Sequence, residues 1–293
     1  MKKFTKLAMV AAVAAATSFS AAATPVTEFF FSQSAGLATP TYENSARYNF
    51  TQSADLGGSP YPVNTYSTLS WVGTNGIATV GGTTNPNNDP SSLTVSTFTS
   101  GATTEISGNG NTAWEEGEVW VITELHHRNN ELLPNAGSIY TDPLWIADIM
   151  ANLRIFSDSV GGTLVHDELG STNTIQFTET PNQGGAISLC AAPNPHGTAC
   201  DDVYTDLTPG AFLPTHFFYN GTEYELTFGL VPGAGAIVLP DPLRVFTAET
   251  FPGDSYVYVT MAWHAVPEPG SLALAGLGLT ALAALRRRKN MAA

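Results

Sequence analysis

The sequence has no lysine from Leu7 to Leu285, and the only arginines in that span are Arg47, Arg128, Arg154 and Arg244. Against these four stand all 25 carboxylates of the chain, from Glu28 to Glu268, so the span carries a net charge near −21. A body this acidic is unsuited to nucleic acid or to an anionic membrane surface. It is compatible with divalent cations, or simply with solubility. Amphipathic 3.6-residue periodicity is also missing, which removes the helical fold classes. So are Gly-x-Ser-x-Gly, His-Glu-x-x-His, a phosphate-cradling glycine loop and Cys-x-x-Cys, and the expectation is a protein without catalytic residues. Only two cysteines occur, Cys190 and Cys200. They bracket the loop AAPNPHGTA, which in an exported chain predicts a local disulfide stabilising by roughly 2–3 kcal/mol. A metal site using His196 between them is the alternative, but zinc usually takes four ligands and no second pair exists.

What is present at the two ends concerns address. Lys2, Lys3 and Lys6 precede the apolar run Leu7–Ala16, and Ala21-Ala22-Ala23 precedes Thr24. This reads as a secretory signal peptide over residues 1–23, exported by the translocon and cut by signal peptidase between Ala23 and Thr24. At the other end, Pro267 and Pro269 flank Glu268 and hold that tripeptide extended and open to a protease. Ser271 to Leu285 has no charge. As a helix it would be about 22 Å long, short of a bilayer core of about 30 Å. The cluster Arg286, Arg287, Arg288 and Lys289 lengthens it by snorkelling and keeps that end cytoplasmic, so the body faces outward.

The order of Pro267-Glu268-Pro269, apolar run and basic end resembles the PEP-CTERM sorting signal. That resemblance implies an exosortase as processing partner, a transient stay in the inner membrane facing the periplasm, and release to the cell surface or matrix of a cell that makes exopolysaccharide. The tail then spans residues 266–290 and the ectodomain residues 24–265.

The ectodomain reads as one all-β domain. Short alternating runs separated by Gly, Pro, Asn and Ser predict strands over residues 27–32, 46–52, 67–72, 92–97, 118–126, 144–156, 174–178, 203–207, 224–230, 243–247 and 255–264. The 144–156 strand is expected to bend near Met150–Asn152. NPNNDP, residues 85–90, is a turn signal, and His166-Asp167-Glu168 reads as a turn. The expected architecture is an antiparallel β-sandwich, jelly-roll-like, with Trp71, Trp120 and Trp145 in its core.

Leu69-Ser70-Trp71 with Gly73-Thr74, Ser91-Ser92-Leu93 and Leu125-His126-His127-Arg128-Asn129-Asn130 together resemble the THxN family of PEP-CTERM proteins. His127 and Asn129 match the motif's His and Asn, and His126 stands where Thr is usual. The cysteine pair followed by Asp201-Asp202-Val203 fits that family's disulfide region. The resemblance carries no established activity.

His126 and His127 should point to opposite faces of a strand end and so not share a metal. One is expected to face the core and bond a loop backbone while Asn129 caps the turn. Trp114-Glu115-Glu116-Gly117-Glu118 joins aromatics to carboxylates, read mainly as an acidic loop before a strand. Asp201, Asp202 and Asp206 are candidate calcium ligands without EF-hand spacing. No cofactor is expected otherwise. Three functions stay open: a non-enzymatic surface or matrix protein associated with exopolysaccharide, a carbohydrate-binding module, calcium-assisted, and a secreted glycan hydrolase.

Overall fold

The computed structural model describes residues 26–38, 40–42, 48–56, 64–73, 79–80, 83–84, 91–99, 113–129, 143–178, 193–197, 201–206, 208, 212–240, 243–248, 253–266 and 277–280. The strands in chain order are β1 Glu28–Ala38, β2 Thr41–Tyr42, β3 Tyr48–Gln52, β4 Thr65–Tyr66, β5 Thr68–Gly73, β6 Thr79–Val80, β7 Thr83–Thr84, β8 Ser91–Thr97 and β9 Trp114–Glu115. They continue as β10 Trp120–Asn129, β11 Pro143–Phe156, β12 Leu164–Thr178, β13 Asp202–Asp206, β14 Thr215–Tyr219, β15 Thr222–Pro232, β16 Ala236–Pro240, β17 Leu243–Thr247 and β18 Gly253–Ala265. The fold is all-β, and every strand pair with a defined register is antiparallel.

The chain divides into two compact units, the larger made of Glu28–Thr215 and Leu226–Trp263. One sheet of this unit runs β16-β17-β13-β12-β11-β1-β4, with β2 on β11 and β9 on β1. A second runs β15-β18-β10-β8-β5-β3, and β6 pairs with β7 in a separate two-stranded sheet. Alternation explains both. In β8, Ser91, Leu93 and Val95 are buried while Ser92, Thr94 and Ser96 are not. Side chains from the inward rows of the two sheets meet in one core: Leu37, Ile175 and Phe177 from the first, Leu69, Trp71 and Val257 from the second. Trp71 and Phe177 have ring centroids 5.0 Å apart.

In the smaller unit, β14 and the start of β15 form a hairpin across Asn220 (φ 48°) and Gly221 (φ 80°), the Asn-Gly pair that a type I′ turn requires. Phe217 stacks on Tyr224 at 5.2 Å, and the Tyr224 hydroxyl accepts the Val26 N–H at 2.9 Å.

Several expected elements differ. His166-Asp167-Glu168 is not a turn but part of β12, paired residue by residue with Arg154 and its neighbours on β11. This half of β12 is mostly solvent-facing, so the backbone ladder rather than a hydrophobic stripe holds it. The 118–126 strand begins at Trp120 and its alternation breaks at once: the register shifts between Val121 and Thr123, and Trp120, Val121, Ile122 and Thr123 are all buried. This is a β-bulge, which returns Thr123, Leu125 and His127 to the inward row. β2, β4, β6, β7, β9, β14 and β16 lie outside the expected strand list. The β11–β12 register does break between Ala151 and Leu153, where the sequence suggested a bend. There Asn152 Oδ1 accepts the Gly170 N–H at 2.8 Å. Trp71 and Trp120 are core residues as expected. The side chain of Trp145 lies outside the described residues.

Candidate functional site

The two neighbouring histidines of the LHHRNN segment face opposite sides of β10, and the bulge upstream decides which of them turns inward. His126 is on the outer face, its ring stacked on Tyr256 at 4.5 Å and 8°. Its Nε2 is 2.9 Å from Asp254 Oδ1. His127 is inside, 2% exposed. Its ring lies parallel to Trp71 at 5.8 Å and edge-on to Phe177 and Tyr204, each at 5.4 Å. Burial among these rings strips the imidazole of hydration and lowers its pKa to about 3, with His126 adding a smaller push in the same direction. His127 is therefore neutral at any ordinary pH.

Its partner corrects the expectation of a loop backbone: Nδ1 is 2.9 Å from the hydroxyl of Thr247, which is on β17 in the opposite sheet. Asn129 does not cap its own turn. It is buried and reaches the carbonyl of Ala248 through Nδ2 at 3.4 Å. Both side chains thus tie the last residues of β10 to the end of β17.

The Trp114–Glu118 segment is occupied with packing. Trp114 donates its indole N–H to the Glu118 carbonyl at 2.9 Å. The Glu118 carboxylate accepts from the Glu115 N–H at 3.0 Å and the Trp120 indole at 3.1 Å. Phe29, Phe31, Trp114, Trp120 and Trp263 meet edge-to-face at 4.9–6.2 Å.

The three candidate calcium ligands do not converge. Asp201 is buried, with Oδ2 3.0 Å from His196 Nδ1 and accepting the His196 backbone N–H at 3.1 Å. Asp206 lies four residues beyond Asp202 on β13, about 13 Å along the strand. Among the described residues there is no group of three or more His, Cys, Asp or Glu side chains able to hold a metal ion.

Sequence reasoning missed a cavity of ≈ 300 Å³ in the larger unit, between the inward rows of the two sheets. Leu125, Ile149, Ala151, Ile175 and Val257 line its middle, and Gln33, Thr123, Asn173 and His127 supply polar groups. The signal was available: each of these polar residues stands on the inward parity of a strand, where an apolar side chain is the rule. Glu168 and Asp206 also line it. Burial raises the pKa of Asp206, and the His166 imidazole, with Nε2 3.7 Å from the Glu168 carboxylate, lowers that of Glu168. Asp206 pairs with Ile175, however, seven residues from Glu168 along β12. That is roughly 20 Å of strand, beyond the ~5–10 Å that glycoside hydrolysis uses.

Of the tail, Leu277–Thr280 is described and is α-helical and exposed. Among the described residues no helix is long and apolar enough to cross a membrane. The signal peptide with its Ala23–Thr24 bond, Cys190 and Cys200, Pro267, Glu268, Pro269, the rest of Ser271 to Leu285 and the basic cluster Arg286, Arg287, Arg288 and Lys289 lie outside the described residues.

Residues 265–289 match the family described as the PEP-CTERM protein-sorting motif. A motif of this class marks an exported protein that passes through a membrane-anchored intermediate and is processed by an exosortase. No curated protein matches the chain.

Proposed function

We propose that this chain is a non-enzymatic protein of the cell surface or extracellular matrix, associated with exopolysaccharide and kin to the THxN group of PEP-CTERM proteins. Its body is a disulfide-closed, jelly-roll-like β-sandwich, delivered by a signal peptide and released from a transient inner-membrane helix at Pro267-Glu268-Pro269. The observation that carries this reading is the sorting motif at residues 265–289 joined to an acidic, lysine-free all-β body. Deleting Pro267–Asn290 tests it. Surface delivery should be lost, and unchanged delivery would overturn the sorting role.

A second reading, a carbohydrate-binding module, is favoured by one feature of β18. Tyr256 and Tyr258 stand two residues apart on the face away from the core, beside His126, with Asp254 and Glu124 close enough to raise the Tyr256 pKa after burial has done so. Glycan arrays probed with and without a chelator separate the readings. Binding abolished by Tyr256→Ala favours the module, and blank arrays in both conditions remove it. A glycan hydrolase has less support, given the carboxylate separation described above.

A further inference from the structure

The ≈ 300 Å³ cavity has a definite internal chemistry. Gln33 on β1 donates from Nε2 to Thr123 Oγ1 on β10 at 2.7 Å. This bond marks one end. His127, four residues on from Thr123 and so about 13 Å along β10, marks the other. Between them the wall is Leu125, Ile149, Ala151, Ile175 and Val257, apolar on both sheets. The space is thus elongated. It is about twice the ~150 Å³ that admits one benzene ring and stands at the lower bound of small-molecule sites, ~300 Å³.

Buried polar atoms of the lining without a hydrogen-bond partner include Gln33 Oε1, His127 Nε2 and Asn173 Oδ1. Two are acceptors only, and the imidazole nitrogen of a neutral histidine takes either role. They call for hydrogen donors from an occupant. Among the described residues no lysine or arginine lines the wall, and Glu168 and Asp206 bring carboxylates to it. An anionic head would meet like charge there, and a cationic one, though drawn to the two carboxylates, would shed its hydration beside an aliphatic wall.

We propose that the cavity between the sheets binds one uncharged aliphatic chain bearing a hydroxyl group, with the single O–H donating to Asn173 Oδ1 and the chain lying along Leu125, Ile149 and Val257. Natural molecules of this class are fatty alcohols and monoacylglycerols. Octanol binding and tail processing are separate properties, so either can fail alone.

The test uses the full mature protein and three probes of one chain length, 1-octanol, octanoate and octylamine, titrated at pH 8 by calorimetry with thermal melts in parallel. The expected result is saturable binding of one octanol per chain with a raised melting temperature, and binding at least tenfold weaker for both charged probes. Ala151→Phe should fill the middle of the space and abolish binding. Should that variant fold poorly, Asn173→Leu, at the half-exposed wall, removes an acceptor at similar volume and should weaken octanol about tenfold, the worth of one hydrogen bond. Absence of saturable octanol binding, equal affinity for octanoate or octylamine, or octanol binding indifferent to both substitutions would each overturn the proposal.

Discussion

His127 is the residue whose chemistry is most altered by the fold. In the unfolded chain its imidazole takes a proton near pH 6.5, but in the folded protein it refuses one until about pH 3. Over that window the unfolded state binds the extra proton, so stability falls as pH falls and is fully present above pH 6.5. Each pH unit costs about 1.4 kcal/mol, and the whole window on the order of 5 kcal/mol. Protonating the 25 carboxylates also acts in acid, so the test needs a reference that lacks only this group. His127→Gln supplies it. Urea midpoints measured from pH 7.5 to 4 should drop more steeply for the wild type than for the variant, narrowing the gap between them. Parallel curves would show that His127 does not titrate as its burial dictates. The inward position of one histidine was legible, because adjacent residues of a strand take opposite faces. Which of the two turns inward was not, because the bulge at Ile122 resets the parity and no residue there announces it. Nor was Thr247 foreseeable as the partner, since it comes from a strand 120 residues away in sequence.

Among the elements, those legible in the sequence carry a stripe. β8 and β18 alternate strongly enough to be placed within about two residues of their ends. β12 lacks such a stripe, since most of Leu164–Gly170 faces solvent, and its strand character comes from pairing with β11. β16 was missed for a related reason: it is short and follows a Pro-Gly-Ala-Gly stretch that reads as loop. That stretch does hold a tight connection. Gly235 has φ 69°, and a Cβ placed there would approach the Asp254 carbonyl oxygen to 2.6 Å and Ser255 Oγ to 2.7 Å. Ser255 in turn donates to the Gly235 carbonyl at 2.7 Å, and Ala248 donates to the same carbonyl at 3.1 Å. The carbonyl oxygen of Asp254 cannot move without disturbing the β10–β18 ladder, where Asp254 pairs with Arg128. Gly235→Ala is therefore expected to destabilise by about 2–3 kcal/mol, the left-handed penalty plus the backbone clash. Guanidinium denaturation should show a lower midpoint with an unchanged slope. Gly161→Ala, at φ 80° with nothing within 4 Å of the added methyl, should cost only the ~1–2 kcal/mol of the dihedral. Equal losses at the two sites would contradict the steric account.

For the whole molecule, charge and address are linked through the placement of one residue type. Lys2, Lys3 and Lys6 stand before Thr24, and Lys289 follows Pro267-Glu268-Pro269. Every primary amine of a side chain is thus confined to the two segments that export and sorting would remove, while the four arginines of the body do not react with amine-directed reagents. Removal of both ends predicts a mature protein whose one reactive amine is its new N-terminus. The protein recovered from the cell surface should accept a single label from an N-hydroxysuccinimide ester, and the labelled peptide should begin at Thr24. A chain cut only at its N-terminal end would take two labels, the second on Lys289. A chain cut only near Pro267-Glu268-Pro269 would keep Lys2, Lys3 and Lys6 beside its original amine and take four. Intact mass before and after labelling distinguishes these products, and a surface-recovered form with two or four labels would rule out the double cut. The same loss of ends leaves four arginines against the carboxylates, so maturation moves the net charge from −14 toward −21. That shift favours partners that are uncharged or bridged by cations over polyanions, a physical constraint on any ligand of the body left after both cuts.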